Sequence, residues 1–258
     1  MKTVILCGGQ GTRLREETEY RPKPLVEVGE RPILWHIMKH YAHYGFDDFV
    51  LCLGYRGAMI KDYFLNFRAQ THDFSLRLGD HASLAVHDDT GEDDFAVTCA
   101  DTGLDTMTGG RIKRIGRYLS PHEPFFLTYG DGLSDINIQA TLDFHRSHGK
   151  AATLTIVRAP SRFGTVSWEP SGEVTRFVEK PMQDSWVSAG FFVLEPRVLE
   201  LIEDDSTTWE RGPLEALAAS GELMAYRHDG MFLAIDTYRE YLMLNEAWKR
   251  GDAPWRVW

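Results

Sequence analysis

Three glycines fall within four residues, directly after the first short apolar run of the chain. The segment reads Leu6-Cys-Gly-Gly-Gln-Gly-Thr-Arg-Leu14. Glycines let the backbone turn sharply and aim N–H groups at anionic oxygens, and Thr12 and Arg13 add a hydroxyl donor and a fixed positive charge. The segment matches neither GxGxxG, because Leu14 replaces the third glycine, nor GxxxxGK followed by Ser or Thr. By itself, the loop could be a phosphate cradle or a plain turn between a strand and a helix.

A lysine between two prolines follows this loop, in the segment Arg21-Pro22-Lys23-Pro24. Proline fixes its own φ and restricts the residue before it, so the backbone of Lys23 is stiff. A lysine held in this way, close to an arginine and a glycine loop, suits the stabilisation of charge on a phosphoryl group during transfer. Such transfer depends mainly on positioning and electrostatics. The alternative interpretation is an exposed lysine in a loop.

Two aspartates follow predicted strands. Asp131 comes after the apolar run 125–128 and lies between two glycines, and Asp236 comes after the run 231–235. Ligands of α/β sheets bind outside the C-terminal ends of the strands. Two carboxylates there suit a magnesium ion that keeps phosphate and water as its other ligands. For either aspartate alone, a turn or a helix cap is the simpler interpretation.

The elements that must position these residues alternate between strand and helix. Apolar runs predict strands at 4–6, 49–53, 125–128, 152–157, 190–194 and 231–235. Helical patterns cover 32–44, 58–67, 140–148, 196–202, 213–220 and 238–250. This alternation predicts an α/β fold with crossover helices, which we interpret as a single domain over 1–258. The least regular stretch is 68–94, whose acidic end lacks the spacing of a calcium loop and is interpreted as a solvated loop.

Composition and charge exclude several classes of protein. The chain has 258 residues, of which 43% are hydrophobic, and a net charge of −10. It can therefore bury a core, and it lacks the basic excess that binding to nucleic acid or to an anionic membrane requires. No apolar run reaches the roughly 20 residues of a membrane span, and the N-terminal run is too short for a signal peptide. The three cysteines form no CxxC pair, which favours buried, reduced thiols in a cytoplasmic protein.

A pair of histidines at i, i+4, His36 and His40, has a spacing that can bind zinc. The HExxH pattern is absent, and no third ligand is evident nearby. We therefore expect these two side chains to serve helix packing. The tryptophans near the C-terminus, Trp248, Trp255 and Trp258, are expected to pack the tail or to form a subunit interface.

Together these motifs resemble the signature of the sugar-1-phosphate nucleotidyltransferases. The GGxGTRL segment at 8–14 and the RPKP segment at 21–24 are typical of that family. The segments 101–103, 107–111 and 128–132 are similar to its cytidylyl branch, and the similarity extends over nearly the whole chain. We expect Met107-Thr-Gly-Gly, between Thr106 and Arg111, to form a turn. The resemblance implies a Rossmann-like, mixed and mostly parallel sheet flanked by helices, with small inserted sugar-binding and C-terminal elements. It also implies transfer of a cytidylyl group from CTP to a sugar 1-phosphate, expected to be glucose 1-phosphate, by a homo-oligomer, a trimer or a hexamer.

The resemblance further implies roles for individual residues. Arg13, Lys23 and Asp131 are expected to be catalytic, and Asp131 and Asp236 are expected to hold Mg²⁺. Arg13 and Lys23 would stabilise the α-phosphate and the leaving pyrophosphate. The expected nucleotide-binding residues are Leu6, Cys7, Gly8, Gly9, Gln10, Gly11, Thr12, Arg13, Lys23, Thr106, Arg111 and Gly130.

Lys180 and Gly190 are the residues expected, by the same resemblance, to bind the sugar phosphate. The chain departs from the branch at this point, because Ser188-Ala189-Gly190 replaces the sequence Asn-Gly-Gly. Replacing asparagine by serine shortens the reach of a hydrogen-bonding side chain. The same transfer with a different sugar 1-phosphate or nucleoside triphosphate as substrate therefore remains an alternative. A nucleotide-binding subunit without catalytic activity is the alternative from a different class.

Overall fold

A seven-stranded sheet forms the centre of the computed structural model, which describes residues 1–11, 14–87, 94–161 and 163–258. The strands are β1 (Thr3–Leu6), β2 (Glu27–Val28), β3 (Arg31–Pro32), β4 (Asp48–Leu53), β5 (Phe74–Arg77), β6 (Asp80–Val86), β7 (Ala96–Asp101), β8 (Phe125–Tyr129), β9 (Gly132–Ser134), β10 (Ala152–Pro160), β11 (Thr165–Trp168), β12 (Val174–Val178), β13 (Met182–Leu194), β14 (Leu223–Arg227) and β15 (Phe232–Ala234). The α-helices are α1 (Arg15–Thr18), α2 (Ile33–His43), α3 (Gly57–Leu65), α4 (Phe67–Thr71), α5 (Thr108–Arg114), α6 (Ile138–His148), α7 (Pro213–Ala219) and α8 (Tyr238–Arg250). Short 3₁₀ helices cover Lys23–Leu25, Ile115–Tyr118 and Pro196–Leu201.

The central sheet is mixed and mostly parallel, as predicted. Its strand order is β14-β10-β13-β8-β1-β4-β7. Strand β13 runs antiparallel to both of its neighbours, and the other adjacent pairs in the described sheet are parallel. Parallel strands need crossover connections, which here are largely helical. The C-terminal ends of β1, β8 and β4 consequently meet at one edge, where α/β sheets bind ligands.

Helices cover both faces of the sheet, so the central strands are apolar on both sides. Successive side chains of β1 point to opposite faces, and all four of its residues are buried. Ile5 packs in one hydrophobic cluster with residues of α2 and α8. Val4 and Leu6 pack in a second cluster with residues of α5 and the segment around Trp209. This double burial explains why the strand reads as a continuous apolar run.

Most predicted elements agree with the structure, and the differences have local causes. The stretch 68–94 was expected to be irregular, but it contains the hairpin β5–β6 with a turn at Leu78-Gly79. Both strands are largely exposed. The run Phe74-Ser-Leu-Arg77 does alternate apolar and polar residues, a short strand signal that the sequence prediction missed. The acidic residues 88–93 lie outside the described residues. The predicted strand 190–194 is only the end of the 13-residue strand β13.

The segment Met107-Thr-Gly-Gly was expected to be a turn, but it forms the N-cap and first turn of α5. Its glycines allow a neighbouring loop to approach closely. A Cβ on Gly109 would lie 2.6 Å from the carbonyl oxygen of Thr207, and one on Gly110 would lie 2.6 Å from the Cα of Asp205. Glycine is disfavoured inside a helix, which explains why the pattern is more typical of a turn.

The two histidines at i, i+4 are buried in α2 and bond to backbone carbonyls. His36 Nε2 lies 2.8 Å from the oxygen of Val28, and His40 Nε2 lies 2.7 Å from that of Ile136. The rings of Trp248, Trp255 and Trp258 surround His36, and Trp255 Nε1 donates to its Nδ1 over 3.4 Å. These contacts confirm the packing interpretation. Within the described residues, no cluster of three or more His, Cys, Asp or Glu side chains could hold a metal ion.

The described helices include none with the length and apolar character needed to cross a lipid bilayer. The three cysteines are free thiols, and Cys7 and Cys52 are buried as expected. Cys99 was also expected to be buried, but it is only partly so because it lies on β7, the edge strand of the sheet.

Burial makes the stability of the fold depend on pH. Burial lowers the pKa of His36 and of His40 from the ordinary 6.5 to about 4. Between these values the unfolded chain binds more protons than the folded chain, so the free energy of unfolding falls as the pH decreases from 6.5 to 4. Each histidine contributes a slope of up to about 1.4 kcal/mol per pH unit. Denaturant titrations of wild type and of a His36→Gln/His40→Gln double variant should show a flatter pH dependence in the variant. His122→Gln, at an exposed position, is the control, and an unchanged slope in the double variant would contradict this explanation.

Candidate active site

A cavity of about 580 Å³ opens at the C-terminal ends of β1 and β8. Most of the predicted site residues form its wall. Those residues are Leu6, Cys7, Gly8, Gly9, Gln10, Gly11, Lys23, Thr106, Arg111, Gly130, Asp131 and Asp236. Thr12 and Arg13 lie outside the described residues. Lys180 and Gly190 are not part of this wall.

The glycine loop leaves β1 between the ends of its two neighbouring strands. Cys7 N donates to the oxygen of Cys52 on β4 over 3.0 Å, and Gly130 N donates to the oxygen of Leu6 over 3.0 Å. Gly11 has φ +62, and a Cβ there would lie 2.8 Å from the Cγ2 of Thr18. Glycine is therefore required at this position by both conformation and space. The hydroxyl of Thr18 donates to the oxygen of Gly11 over 2.9 Å and fixes the end of the loop.

Lys23 lies between two carboxylates. Its Nζ donates to Asp131 Oδ2 over 2.5 Å and to Asp236 Oδ1 over 2.8 Å. The lysine is buried in a 3₁₀ helix whose N-cap, Pro22, has φ −66. Burial lowers the pKa of Lys23, but the charge of Asp131 and the hydrogen bonds to both carboxylates outweigh it, so the pKa is raised above its ordinary value. The lysine is therefore a fixed positive charge.

A small antiparallel ribbon brings the two aspartates together, although they are far apart in the sequence. Strands β9 and β15 pair with Gly132 opposite Ala234, and Ile235 N donates to the oxygen of Asp131 over 3.0 Å. The backbone N–H of Asp236 donates to Glu240 Oε2 over 2.7 Å. Glu240 also forms a capping box with Thr237 at the start of α8. The helix start thus fixes the backbone that carries Asp236.

These two carboxylates have the right chemistry for a divalent metal ion. Magnesium prefers oxygen ligands, and it usually binds one or two protein carboxylates together with substrate phosphates and water. Asp131 and Asp236 both reach the same ammonium group, so both can also face one cation. This donor set therefore fits a magnesium ion that binds together with a triphosphate.

Arg111 lies beneath the glycine loop and is only 5% exposed. Its Nη1 donates over 2.7–3.1 Å and its Nη2 over 3.1–3.3 Å, to the hydroxyl of Thr102 and to the backbone oxygens of Gly8, Leu53, Gly103 and Leu104. A Cβ on Gly8 would lie 2.2 Å from Nη1, and one on Gly54 would lie 2.5 Å from it. The guanidinium thus connects the glycine loop to the ends of β4 and β7.

The two predicted sugar-phosphate residues lie beyond the cavity wall. Lys180 has φ +46 in the turn between β12 and β13, and its Nζ lies 3.7 Å from Glu179 Oε1. Gly190 has φ +72, and a Cβ there would lie 2.5 Å from the ring of Tyr129. Gly190 therefore touches the cavity indirectly, through a residue of its wall. Its N–H donates to the hydroxyl of Ser188 over 3.2 Å.

Three residues near the cavity carry no assignment from the sequence. Tyr129 and Thr108 are part of the wall, and both donate hydrogen bonds to the carboxylate of Glu210. A tyrosine directly before Gly130-Asp131 was a detectable signal, because it ends the strand that leads to the site. Glu210 belongs to a segment, 208–210, that resembles the cytidylyl branch, but the sequence did not indicate its contact with these two side chains, because it lies far along the chain from both.

A glycine loop after the first strand, with a lysine and two carboxylates at the same edge of the sheet, defines a site for transfer of a nucleotide. The model of the Nucleotidyl transferase family matches residues 2–248, and the chain belongs to this family. Its members act on a nucleoside triphosphate and a sugar 1-phosphate, and they typically use a divalent metal ion.

The names of individual relatives are more specific than that of the family. The chain is 48% identical to a Salmonella typhi protein named Glucose-1-phosphate cytidylyltransferase, over 100% of both chains. It is 44% identical to a Bacillus subtilis (strain 168) protein named "Probable glucose-1-phosphate cytidylyltransferase", again over 100% of both. Among solved structures, HddC from Yersinia pseudotuberculosis is similar with a TM-score of 0.69 at 20% identity, over 96% of this chain and 99% of that chain. This last similarity confirms the fold.

We expect Arg111 to be essential for the stability of the loop. In Arg111→Lys, an ammonium cannot reach all the oxygens that the planar guanidinium joins, and buried carbonyls lose partners. The free energy of unfolding should fall by about 2–3 kcal/mol, as measured by urea denaturation. Arg146→Lys, at an exposed position on α6, should change it by less than about 0.5 kcal/mol. Equal stability of the two variants would refute this role.

Proposed function

We propose that this chain is a glucose-1-phosphate cytidylyltransferase, which transfers a cytidylyl group from CTP to glucose 1-phosphate and gives CDP-glucose and pyrophosphate. The observation that carries the proposal is the 48% identity with an enzyme of that name over the full length of both chains. The site is consistent with it. A glycine loop, a fixed lysine and two carboxylates at one sheet edge provide what nucleotidyl transfer needs.

In this reaction an oxygen of the sugar phosphate bonds to the α-phosphorus of CTP, while the bond from that phosphorus to the bridging oxygen of pyrophosphate breaks. The nucleophile is a phosphate whose second pKa is about 6, so it is already ionised near neutral pH and needs no general base. Catalysis then consists of positioning and of stabilising negative charge. Lys23 supplies a buried positive charge for that purpose, and Arg13 is proposed to act beside it.

The carboxylates of Asp131 and Asp236 would hold Mg²⁺. When bound, the ion neutralises charge on the triphosphate and on the leaving pyrophosphate. Lys23 keeps both carboxylates turned toward one point, so the chain preorganises this pair before any substrate enters. The glycine loop, from Gly8 to Thr12, would bind the triphosphate through its N–H groups.

Thr106 and Gly130, which line the cavity, would contact the nucleoside. Arg111 also lines it, but its described hydrogen bonds go to the protein. We therefore place its contribution to nucleotide binding mainly in the shape that it gives the loop.

On the sugar side, Lys180 would pair with the phosphate, and Gly190 would let the backbone approach the sugar. The hydroxyl of Ser188 accepts a hydrogen bond from its own segment, so it offers less to a ligand than the longer asparagine would. This departure supports a second candidate, the same transfer with a different sugar 1-phosphate or nucleoside triphosphate.

A homo-oligomer, a trimer or a hexamer, belongs to the same proposal. The hairpin β11–β12 exposes one apolar face, in which Val166 lies opposite Phe177 and Trp168 opposite Val174. An isolated two-stranded hairpin is marginally stable in water, and an exposed apolar patch often marks an interface. Light scattering of the full chain measures the oligomeric state directly, and a monomer would refute the proposal of a homo-oligomer.

The function is tested by pyrophosphate release from purified protein with Mg²⁺. CTP, UTP, GTP and dTTP are each combined with glucose 1-phosphate, and CTP is then combined with other hexose 1-phosphates. We expect the highest kcat/KM for CTP with glucose 1-phosphate. A higher value for another pair would support the second candidate, and no release from any pair would refute both.

We expect Lys23→Met to lower kcat by at least about a hundredfold, because the variant keeps the length of the side chain and removes the charge that the transition state needs. It should also raise the affinity for Mg²⁺ in the absence of nucleotide, since two carboxylates without a cation between them attract the ion more strongly. Stopped assays of pyrophosphate release measure kcat, and calorimetric titration measures the affinity for Mg²⁺. Lys39→Met, on α2 and outside the cavity wall, is the control, and near-normal turnover of Lys23→Met would exclude the assigned role.

A further inference from the structure

One carboxylate accepts hydrogen bonds from the hydroxyl groups of two side chains in the cavity wall. The hydroxyl of Tyr129 donates to Glu210 Oε1, and the hydroxyl of Thr108 donates to Glu210 Oε2 over 2.7 Å. Tyr129 ends β8, next to Gly130, whereas Thr108 begins α5, and both residues line the same cavity. Glu210 therefore joins two parts of the wall that are distant in sequence.

The direction of these hydrogen bonds is set by chemistry. An ionised carboxylate can only accept, so each hydroxyl must point its single proton at Glu210. Burial raises the pKa of Tyr129, and the charge of Glu210 and their hydrogen bond raise it further. The phenol consequently keeps its proton and remains a donor to the carboxylate.

Hydrogen bonds and packing contacts with neighbouring segments hold the three side chains in place. The loop that carries Glu210 bonds to the start of α5, through Met107 N to the oxygen of Asp205 over 2.8 Å and Gly110 N to that of Thr207 over 3.2 Å. The N–H of Trp209 donates to the hydroxyl oxygen of Thr108 over 2.9 Å. Gly190 packs against the ring of Tyr129 with no room for a Cβ.

A hydroxyl whose proton is engaged presents lone pairs in its remaining directions. The hydroxyl oxygen of Thr108 accepts from Trp209 N and has one lone pair left to accept another hydrogen bond. The hydroxyl oxygen of Tyr129 also has lone pairs that can accept. We propose that Glu210 is a positioning residue for substrate selection: by holding both protons, it makes this part of the wall an acceptor surface that favours a substrate group able to donate a hydrogen bond.

This inference rests on the proposed function, and under it the donating group has three possible sources. The exocyclic amino group of cytosine is a donor where uracil has a carbonyl oxygen. The ribose of the nucleotide and the hexose of the sugar phosphate both carry donating hydroxyls. The shared chemistry is a donor group on the substrate, and each source has a matched analogue that lacks it.

The deciding variant is Glu210→Gln, which keeps the size of the side chain. A carboxamide accepts at one atom and donates at the other, so one of the two hydroxyls must accept from it and turn its own proton elsewhere. The wall then contains a donor where it had an acceptor. The preference for the donor-bearing substrate should fall by about tenfold, the value of one hydrogen bond of about 1.4 kcal/mol.

Three ratios of kcat/KM are measured for wild type and variant: CTP against UTP, CTP against dCTP, and glucose 1-phosphate against its monodeoxy analogues. The ratio that falls identifies the donor as the base, the ribose or the hexose. Tyr129→Phe or Thr108→Val, each of which removes one acceptor, should lower the same ratio. Glu200→Gln, an exposed glutamate on the Pro196–Leu201 segment, should leave all three within about twofold of wild type.

The inference is overturned if Glu210→Gln keeps all three ratios within about twofold of wild type. It is also overturned if neither hydroxyl variant lowers the ratio that Glu210→Gln lowers, because Glu210 would then not act through them. A merely structural role would lower stability and all kcat/KM values together, without changing a ratio. Should wild type release no pyrophosphate from any pair, the proposed function fails instead. Calorimetric affinities for CTP, UTP and dCTP, and for glucose 1-phosphate and its deoxy analogues, then decide the inference by the same ratios.

Discussion

The ammonium group of Lys23 between Asp131 and Asp236 is the interaction on which the rest of the site depends. Two carboxylates at one point repel each other, and a buried lysine without partners would tend to lose its proton. Each group is stable there because of the others, with Nζ contacts of 2.5 and 2.8 Å. The contact joins three separate parts of the chain: the 3₁₀ helix Lys23–Leu25, the turn after β8 and the segment before α8. Any shift of these elements would separate the charges.

The surroundings of this contact explain other features of the sheet edge. Loops at the ends of parallel strands present backbone carbonyls that must find donors when they are buried. One guanidinium, that of Arg111, supplies donors to four such carbonyls from the end of β4 and the loops after β1 and β7. Its volume in turn requires glycine at 8 and 54, where a Cβ would collide with it. A glycine of the motif thus serves the packing of the loop as well as its conformation.

Much of the fold followed from local rules. Helix α8 occupies the predicted range 238–250, because Thr237 and Glu240 form a capping box and Gly251 ends the helix with φ +75. The buried strands β1, β4 and β8 were visible as apolar runs for the reason that both of their faces are covered. The exposed hairpin β5–β6 and the first turn of α5 were missed. The apolar residues of the hairpin alternate only over short runs and are largely exposed, and the first turn of α5 contains glycines that leave room for a neighbouring loop.

For the candidate site, the sequence alone determined which types of residue are available and where along the chain they stand. Glycines after a strand, a lysine between prolines and aspartates after strands all depend on neighbours within a few positions. The tertiary structure decided which atoms meet. It placed Lys23 against both aspartates, turned Arg111 toward backbone carbonyls, and joined Tyr129 and Thr108 through Glu210. These contacts link residues that are distant along the chain, and they form only when sheet and helices pack together, because local backbone preferences carry no information about a distant partner.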